Sequence, residues 1–223
     1  MASSKISFVD PFLAKLAFLK GLSPADLSRV STAFILRRHA KGAAIFEEGS
    51  AADAVYLLKT GLVKAVKRSP KDEPVVLEII VPGHLFGMMP ALDKRPYPVD
   101  AVCLQESEVY RIKSADFAEL LRRHAPFSQA VFAEVGEHLR HSQALRSMVK
   151  EPAERRIAYI LWMLSLSLGR EILLGREVVA EMAGTTVETA IRVLGHLREQ
   201  GLIEARYKRI KVLKPEALRD GVV

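Results

Sequence analysis

With 223 residues, 49% of them apolar and 26% charged, the chain has the composition of a folded globular protein, which excludes disordered, collagenous and low-complexity classes. Thirty-three Lys and Arg against twenty-six Asp and Glu leave a net charge of +7, so nucleic acid, an anionic membrane, or no polyanionic partner at all are the alternatives that charge placement must decide. The single cysteine, Cys103, excludes an internal disulfide framework and a multi-cysteine zinc or iron–sulfur site, and makes a reducing cytoplasm the expected compartment.

The apolar stretch Phe12–Leu19 is too short for a membrane span and carries Lys15 inside it, so it predicts an amphipathic helix with Phe12, Leu16 and Leu19 facing the protein. Ser23-Pro24-Ala25-Asp26 caps the next helix, with proline at its first position. From about residue 33 to 113 short apolar runs alternate with Gly and Pro: Ala43–Phe46, Val55–Leu58, Leu62–Val66, Val75–Val81 and Val109–Ile112. Strands so spaced predict an antiparallel sandwich or barrel. Helical periodicity then returns, with Ser114 and Asp116 at a helix start and a longer helix from Pro126 to about Lys150.

That longer helix carries Val131, Val135, His138, Ser142, Leu145 and Val149 at spacings of four and three. The pattern suits the seam of a two-stranded coiled coil between two copies of the chain, or a helix packed on its own sandwich. After Glu151-Pro152 comes the apolar segment Ile157–Leu168, with Trp162 expected in the core. Two short helical segments around Gly184 and an alternating run from Ile203 to Leu213 complete the layout of a winged helix-turn-helix.

Within Arg176–Leu194, Ala180 is small where two helices would cross, Gly184 suits a turn needing positive φ, and Thr185 or Thr186 can cap the second helix. Ala190, Val193, Leu194 and Leu197 share one stripe of that helix, and Val187, Glu188, Ile191 and Arg192 the other. The second stripe suits a DNA major groove. Arg192 matches guanine O6 and N7, Glu188 accepts from cytosine N4, and Ile191 or Val187 lies against a thymine methyl. The bland alternative is an i,i+4 ion pair between Glu188 and Arg192 on a wet helix. Arg206, Lys208, Arg209, Lys211 and Lys214 follow with no acid among them, on a predicted wing suited to phosphates. Arg176, Thr186 and Thr189 are further phosphate candidates at the helix starts.

These residues together resemble the Crp/Fnr superfamily of bacterial transcription regulators over nearly the whole chain. Phe46-Glu47-Glu48-Gly49, Val55–Val63 and Pro82-Gly83-His84-Leu85-Phe86-Gly87 resemble its cyclic-nucleotide-binding jelly roll, and Gly184–Arg192 its recognition helix. The resemblance implies an α+β protein in three parts: a jelly-roll effector domain with N-terminal helices over 1–124, a dimerisation helix over 125–150 and a winged helix-turn-helix over 151–223. It implies no enzyme activity, a cytoplasmic homodimer on double-stranded DNA, and RNA polymerase as a further partner. Relatives with the Glu-x-x-x-Arg pair read palindromes with a TGA core, and Val187 before Glu188 resembles the oxygen and nitrogen-oxide responsive branch, with TTGAT-like half-sites. That branch carries serine where this chain has Ile191.

The sensor half departs from the family pattern. Cyclic-nucleotide binders follow the glycine with a ribose-binding glutamate and close the cassette with a phosphate-binding arginine; here Gly87 precedes Met88-Met89-Pro90 and the cassette ends Val99-Asp100-Ala101. The two substitutions argue against cAMP, since Asp100 would repel a phosphate. Gly87, Met88, Met89, His138, His141 and Ser142 are then the candidate pocket for an unknown effector. Haem is one option, with Met88, Met89, His84, His138 and His141 within reach of the position that some family gas sensors use. A metal-dependent cupin enzyme is the alternative from a different class; no His-x-His occurs, and His138 and His141 have no evident third ligand, so no metal site is expected.

Overall fold

A computed structural model describes residues 10–69 and 74–220. The chain divides into two compact units, Met1–Ala65 with Ile79–Arg140 and Val66–Glu78 with His141–Val223. In chain order come α1 (Pro11–Lys15), α2 (Pro24–Ser31), β1 (Ile35–His39), β2 (Ala44–Phe46), β3 (Ala54–Thr60), β4 (Val63–Arg68), β5 (Pro74–Ile80), β6 (Leu85–Phe86), α3 (Met88–Asp93), β7 (Asp100–Cys103), β8 (Ser107–Lys113), α4 (Ser114–Arg123) and α5 (Ala125–Ser147). The remaining elements are α6 (Ala153–Leu168), β9 (Glu171–Ile172), α7 (Arg176–Ala183), α8 (Val187–Glu199), β10 (Ile203–Arg206), β11 (Arg209–Val212) and α9 (Pro215–Asp220).

The jelly roll is built from two four-stranded sheets, ordered β1-β8-β3-β6 and β2-β7-β4-β5. Strand β3 explains why its sequence reads as one unbroken apolar run. Alternate side chains of a strand point to opposite faces, and both faces of β3 are covered. Ala54, Tyr56 and Leu58 join Val63, Phe86, Tyr97, Ala101 and Val109 in one core cluster, whereas Val55 and Leu57 join Leu13, Phe18, Ile112, Phe117, Phe127 and Val131 in another. The second cluster is where the helices cover the sheet.

The N-terminal segment is not one continuous helix. Leu16 is extended at ψ 133, so a 3-10 turn, Ala17–Leu19, follows α1, and Leu13, Phe18 and Leu19 are buried while Phe12 is half-buried. Asp10 anchors this segment, because its carboxylate accepts from Phe12 N–H at 2.8 Å, from Lys59 Nζ at 3.0 Å and from the Tyr110 hydroxyl. Burial pushes the carboxyl pKa up, but these hydrogen bonds outweigh it and leave the group lowered. The predicted cap of α2 is present, with Ser23 Oγ accepting from Asp26 N–H at 3.1 Å.

On α5 the packing corrects the expected seam. Val131 is 2% exposed inside the roll's helical-side core, and Val135 packs against the same cluster. These two side chains pack on the chain's own sheet. Phe132 and Leu139, 70% and 58% exposed, form the apolar stripe that remains uncovered, with Gly136 between them. Of the other seam candidates His138 and Leu145 are half-buried, while Ser142 and Val149 are exposed.

In the C-terminal unit α6 packs Ile157, Ala158, Ile160, Leu161 and Leu164 into a core shared with Val179, Ala180, Ala190, Val193, Leu194 and Leu197. Trp162 is only half-buried and lies beside Tyr159, with ring centroids 5.3 Å apart. The wing is the hairpin β10-β11, extended to three strands by the two residues of β9. Gly184 ends α7 in the left-handed region at φ 57, the turn geometry a residue with a Cβ rarely adopts. Arg156 locks that turn: its guanidinium donates to the carbonyls of Ala183 at 2.8 Å and Glu151 at 2.6 Å. Ala180 is 1% exposed at the helix crossing, so Ala180→Leu is expected to overpack it and cost about 1–3 kcal/mol. A lower midpoint in urea denaturation, with an unchanged slope, checks this.

Candidate DNA-binding interface

The second helix of the pair, α8, starts at Thr186, whose Oγ1 accepts from Thr189 N–H at 3.2 Å. Of the two threonines proposed as caps, Thr186 is therefore the one used. Ala190, Val193, Leu194 and Leu197 are buried, and the opposite stripe presents Glu188, Ile191 (44% exposed) and Arg192 to solvent, with Val187 and Thr189 half-buried.

Among the described residues no ion pair joins Glu188 to Arg192, and Arg192 makes no other. The bland reading of the pair, an i,i+4 salt bridge, is therefore not what the helix shows. Instead Glu188 is held by its own backbone N–H and by the Thr186 hydroxyl, which lower its carboxyl pKa. Glu188 is thus an ionised, acceptor-only group at the positive end of α8, while Arg192 keeps its donors for an external acceptor.

Beside this face a groove of about 350 Å³ runs between α8 and the wing. Leu174, Ile191, Leu194 and Ile210 line its floor, and Arg176, Arg198, Arg206 and Lys208 supply four cations. Arg198 was not among the residues predicted from sequence. Its signal was present: it lies seven residues after Ile191, two helical turns along the same side of α8. Tyr207, 74% exposed at the hairpin tip, is a second missed residue, with Lys208 Nζ 4.8 Å from its ring centroid.

The wing is less purely basic in three dimensions than in sequence. Arg209 Nε lies 2.6 Å from Glu171 on β9, and Lys211 Nζ lies 4.0 Å from Glu204 on β10. Both acids precede the basic run in sequence. Arg206, by contrast, makes no ion pair among the described residues, and it and Lys208 border the groove.

The predicted effector residues are dispersed. Gly87 begins α3 at φ 71, with Tyr97, Phe46 and Tyr56 closing around the place a Cβ would occupy at 3.1–3.6 Å. Those rings and Phe86 stack together, Phe46 on Tyr97 at 3.9 Å between centroids. Met88 is 6% exposed and packs in the roll's apolar core. Met89 points to solvent at 54% exposure, and His141 and Ser142 are exposed. Asp100 accepts from Glu48 N–H at 2.7 Å, which fixes the turn after β2. His138 has a neighbourhood that sequence spacing did not suggest: it converges with Glu134 and His84.

Residues 36–124 match the cyclic nucleotide-binding domain family, and residues 155–220 the Crp-like helix-turn-helix domain. The chain belongs to the Crp/Fnr superfamily. Crp/Fnr proteins are transcription regulators that bind DNA and typically act as dimers, and they are not enzymes, so the cupin alternative is set aside. The cyclic AMP receptor protein of Thermus thermophilus is 28% identical over 202 residues, covering 90% of this chain and 94% of that protein. The transcriptional activator protein Anr of Pseudomonas protegens is 25% identical over 184 residues, covering 78% of this chain and 75% of Anr. Among solved structures FixK2 from Bradyrhizobium japonicum superposes with a TM-score of 0.76 at 20% identity, over 84% of this chain and 96% of that one, which supports the fold. Among the described residues no helix is long and apolar enough to cross a membrane.

Proposed function

We propose that this Crp/Fnr protein is a cytoplasmic homodimer that reads a palindrome with TGA-containing half-sites and is controlled by an effector other than cAMP. The observation that carries the reading is the face of α8. Arg192 and Glu188 are exposed, are not paired with each other, and sit with Ile191 beside a groove edged by Arg176, Arg198, Arg206 and Lys208. In a major groove Arg192 donates a fork to guanine, Glu188 accepts from cytosine N4, and Ile191 or Val187 contacts a thymine methyl. Arg176, Thr186, Thr189 and the wing bases Arg206, Lys208, Arg209 and Lys211 then hold phosphates and set register. RNA polymerase is the partner through which such a protein acts on transcription.

Two copies are needed to read a palindrome, and the exposed Phe132 and Leu139 of α5 offer the contact. Against cAMP stand Val99-Asp100, which replace the family's Arg-Ser or Arg-Thr before alanine and leave an acid where a phosphate would approach, and Met88, buried where the ribose-binding glutamate would lie. Haem gains no support from Met88 or Met89, one being in the core and the other in solvent.

Selection of full-length protein against a randomised duplex library tests the proposal. Enrichment of a symmetric sequence with half-sites one helical turn apart is expected; enrichment of no palindrome overturns it. A cAMP-dependent rise in thermal midpoint would overturn the effector part alone.

The phosphate contacts carry their own expectation. Arg206→Ala should weaken all DNA sequences alike and flatten the slope of log K against log salt by about 0.9, the share of one phosphate contact. Arg209→Ala should flatten it less, because Glu171 already neutralises that side chain. Fluorescence anisotropy over a salt series measures both, and equal slopes in wild type and Arg206→Ala would remove Arg206 from the phosphate contacts.

A further inference from the structure

We propose that His84, Glu134 and His138 form a binding site for a divalent transition-metal ion, and that this ion is the effector that positions α5. The effector role rests on the regulator reading above; the site itself does not. One ligand atom from each of the three residues lies within 4.8 Å of the others. His84 Nδ1 is 3.5 Å from Glu134 Oε1. In a tetrahedral site with bonds of about 2.0–2.1 Å, neighbouring ligand atoms are roughly 3.3 Å apart, so this pair already has the required spacing. The His84 side chain is 48% exposed and can turn to close the wider separations.

The backbone holds these groups in place. Glu134 and His138 are four residues apart on α5, which puts both on one face of the helix. His84 projects from the turn between β5 and β6, and that turn is tied to β3 by Gly83 N–H to Leu58 O at 2.8 Å and Leu58 N–H to His84 O at 3.1 Å. Glu134 Oε1 accepts from Leu85 N–H at 2.9 Å, a support that orients the carboxylate toward the cluster. The Nε2 atom of His138 is buried, whereas His84 keeps the site open to solvent on one side.

Two imidazoles and one carboxylate select a first-row transition ion over magnesium or calcium, which take oxygen ligands. Three protein ligands leave a further position for water. The mechanical consequence follows from where the ligands sit. A metal bond from the β5–β6 turn to two successive turns of α5 fixes the helix in rotation and height on the roll. Phe132 and Leu139, on the uncovered side of the same helix, move with it. An ion that binds one helix position better than another would shift the population between them.

The test uses full-length protein stripped with a chelator and titrated with zinc, and separately with cobalt as a spectroscopic probe. One ion per chain is expected, with His84→Ala and His138→Ala each lowering affinity by at least about tenfold. His39→Gln, on β1 at the opposite edge of that sheet from β6, should leave the affinity unchanged. Absence of saturable uptake, or uptake that survives the double His84→Ala, His138→Ala variant, overturns the site. Anisotropy on the selected palindrome, with and without zinc, tests the effector role; a change of about fivefold or more, abolished in His138→Ala, is expected. Equal DNA affinity with and without metal overturns the effector role while leaving DNA reading intact. Absence of DNA binding in both states would instead strike the regulator reading, and the titration would still decide the site.

Discussion

Arg192→Ala is expected to weaken binding to a TGA-containing palindrome by about 1–3 kcal/mol per half-site and to relax selectivity at the guanine. The magnitude follows from what the side chain does in the free protein. Arg192 is exposed and makes no ion pair among the described residues, so its removal breaks nothing within the fold and the loss falls on the DNA contact. Arg192→Lys should recover part of the affinity but little of the selectivity, because an ammonium lacks the planar fork that matches guanine O6 and N7. Binding measured on the selected sequence and on duplexes with the guanine replaced distinguishes the two losses. An equal loss on random DNA would place Arg192 on phosphates instead.

The second large effect is expected on α5. Leu139→Glu puts a charge into the uncovered apolar stripe and should turn the proposed dimer into a monomer without unfolding the roll, since Leu139 is 58% exposed in the chain itself. Reading a palindrome with one half-site instead of two removes the gain of linked binding, which is commonly about a hundredfold or more. Sedimentation velocity gives the oligomeric state, and anisotropy gives the affinity. Val131→Glu is the informative contrast. Val131 is 2% exposed in the roll core, so this variant should lower the thermal midpoint instead. A dimeric Leu139→Glu protein with full affinity would place the subunit contact elsewhere.

The contrast between those two residues shows how far the sequence could be read. A heptad pattern on α5 is real, but two stripes satisfy it, one through Val131, Val135 and His138 and one through Phe132 and Leu139. Periodicity cannot say which stripe meets the chain's own sheet, because that depends on how α5 lies over Leu13, Phe18 and Phe117. The helix-turn-helix was more legible: the small Ala180, the left-handed Gly184 and the Thr186 cap are local requirements, each met within a few residues. The strand runs were legible where they were apolar. β1, Ile35–His39, falls in the predicted strand region but is marked by no apolar run, because an edge strand with mostly exposed residues has no alternation to detect. β9 was missed because two residues carry no pattern.

By itself the sequence determined the strand-rich N-terminal half, the long helix, the turn and cap of the DNA-reading helix pair, and the acid and base on its exposed stripe. These are short-range properties, set by side-chain period and by backbone demands at single positions. Tertiary structure alone decided that Glu171, which precedes the helix pair in the chain, reaches Arg209 on the wing. It also decided that His138 keeps company with His84 and Glu134 instead of His141, because the β5–β6 turn and α5 are brought together across 49 residues of chain. Contacts of that range depend on the packing of whole layers, and no window of sequence holds both partners.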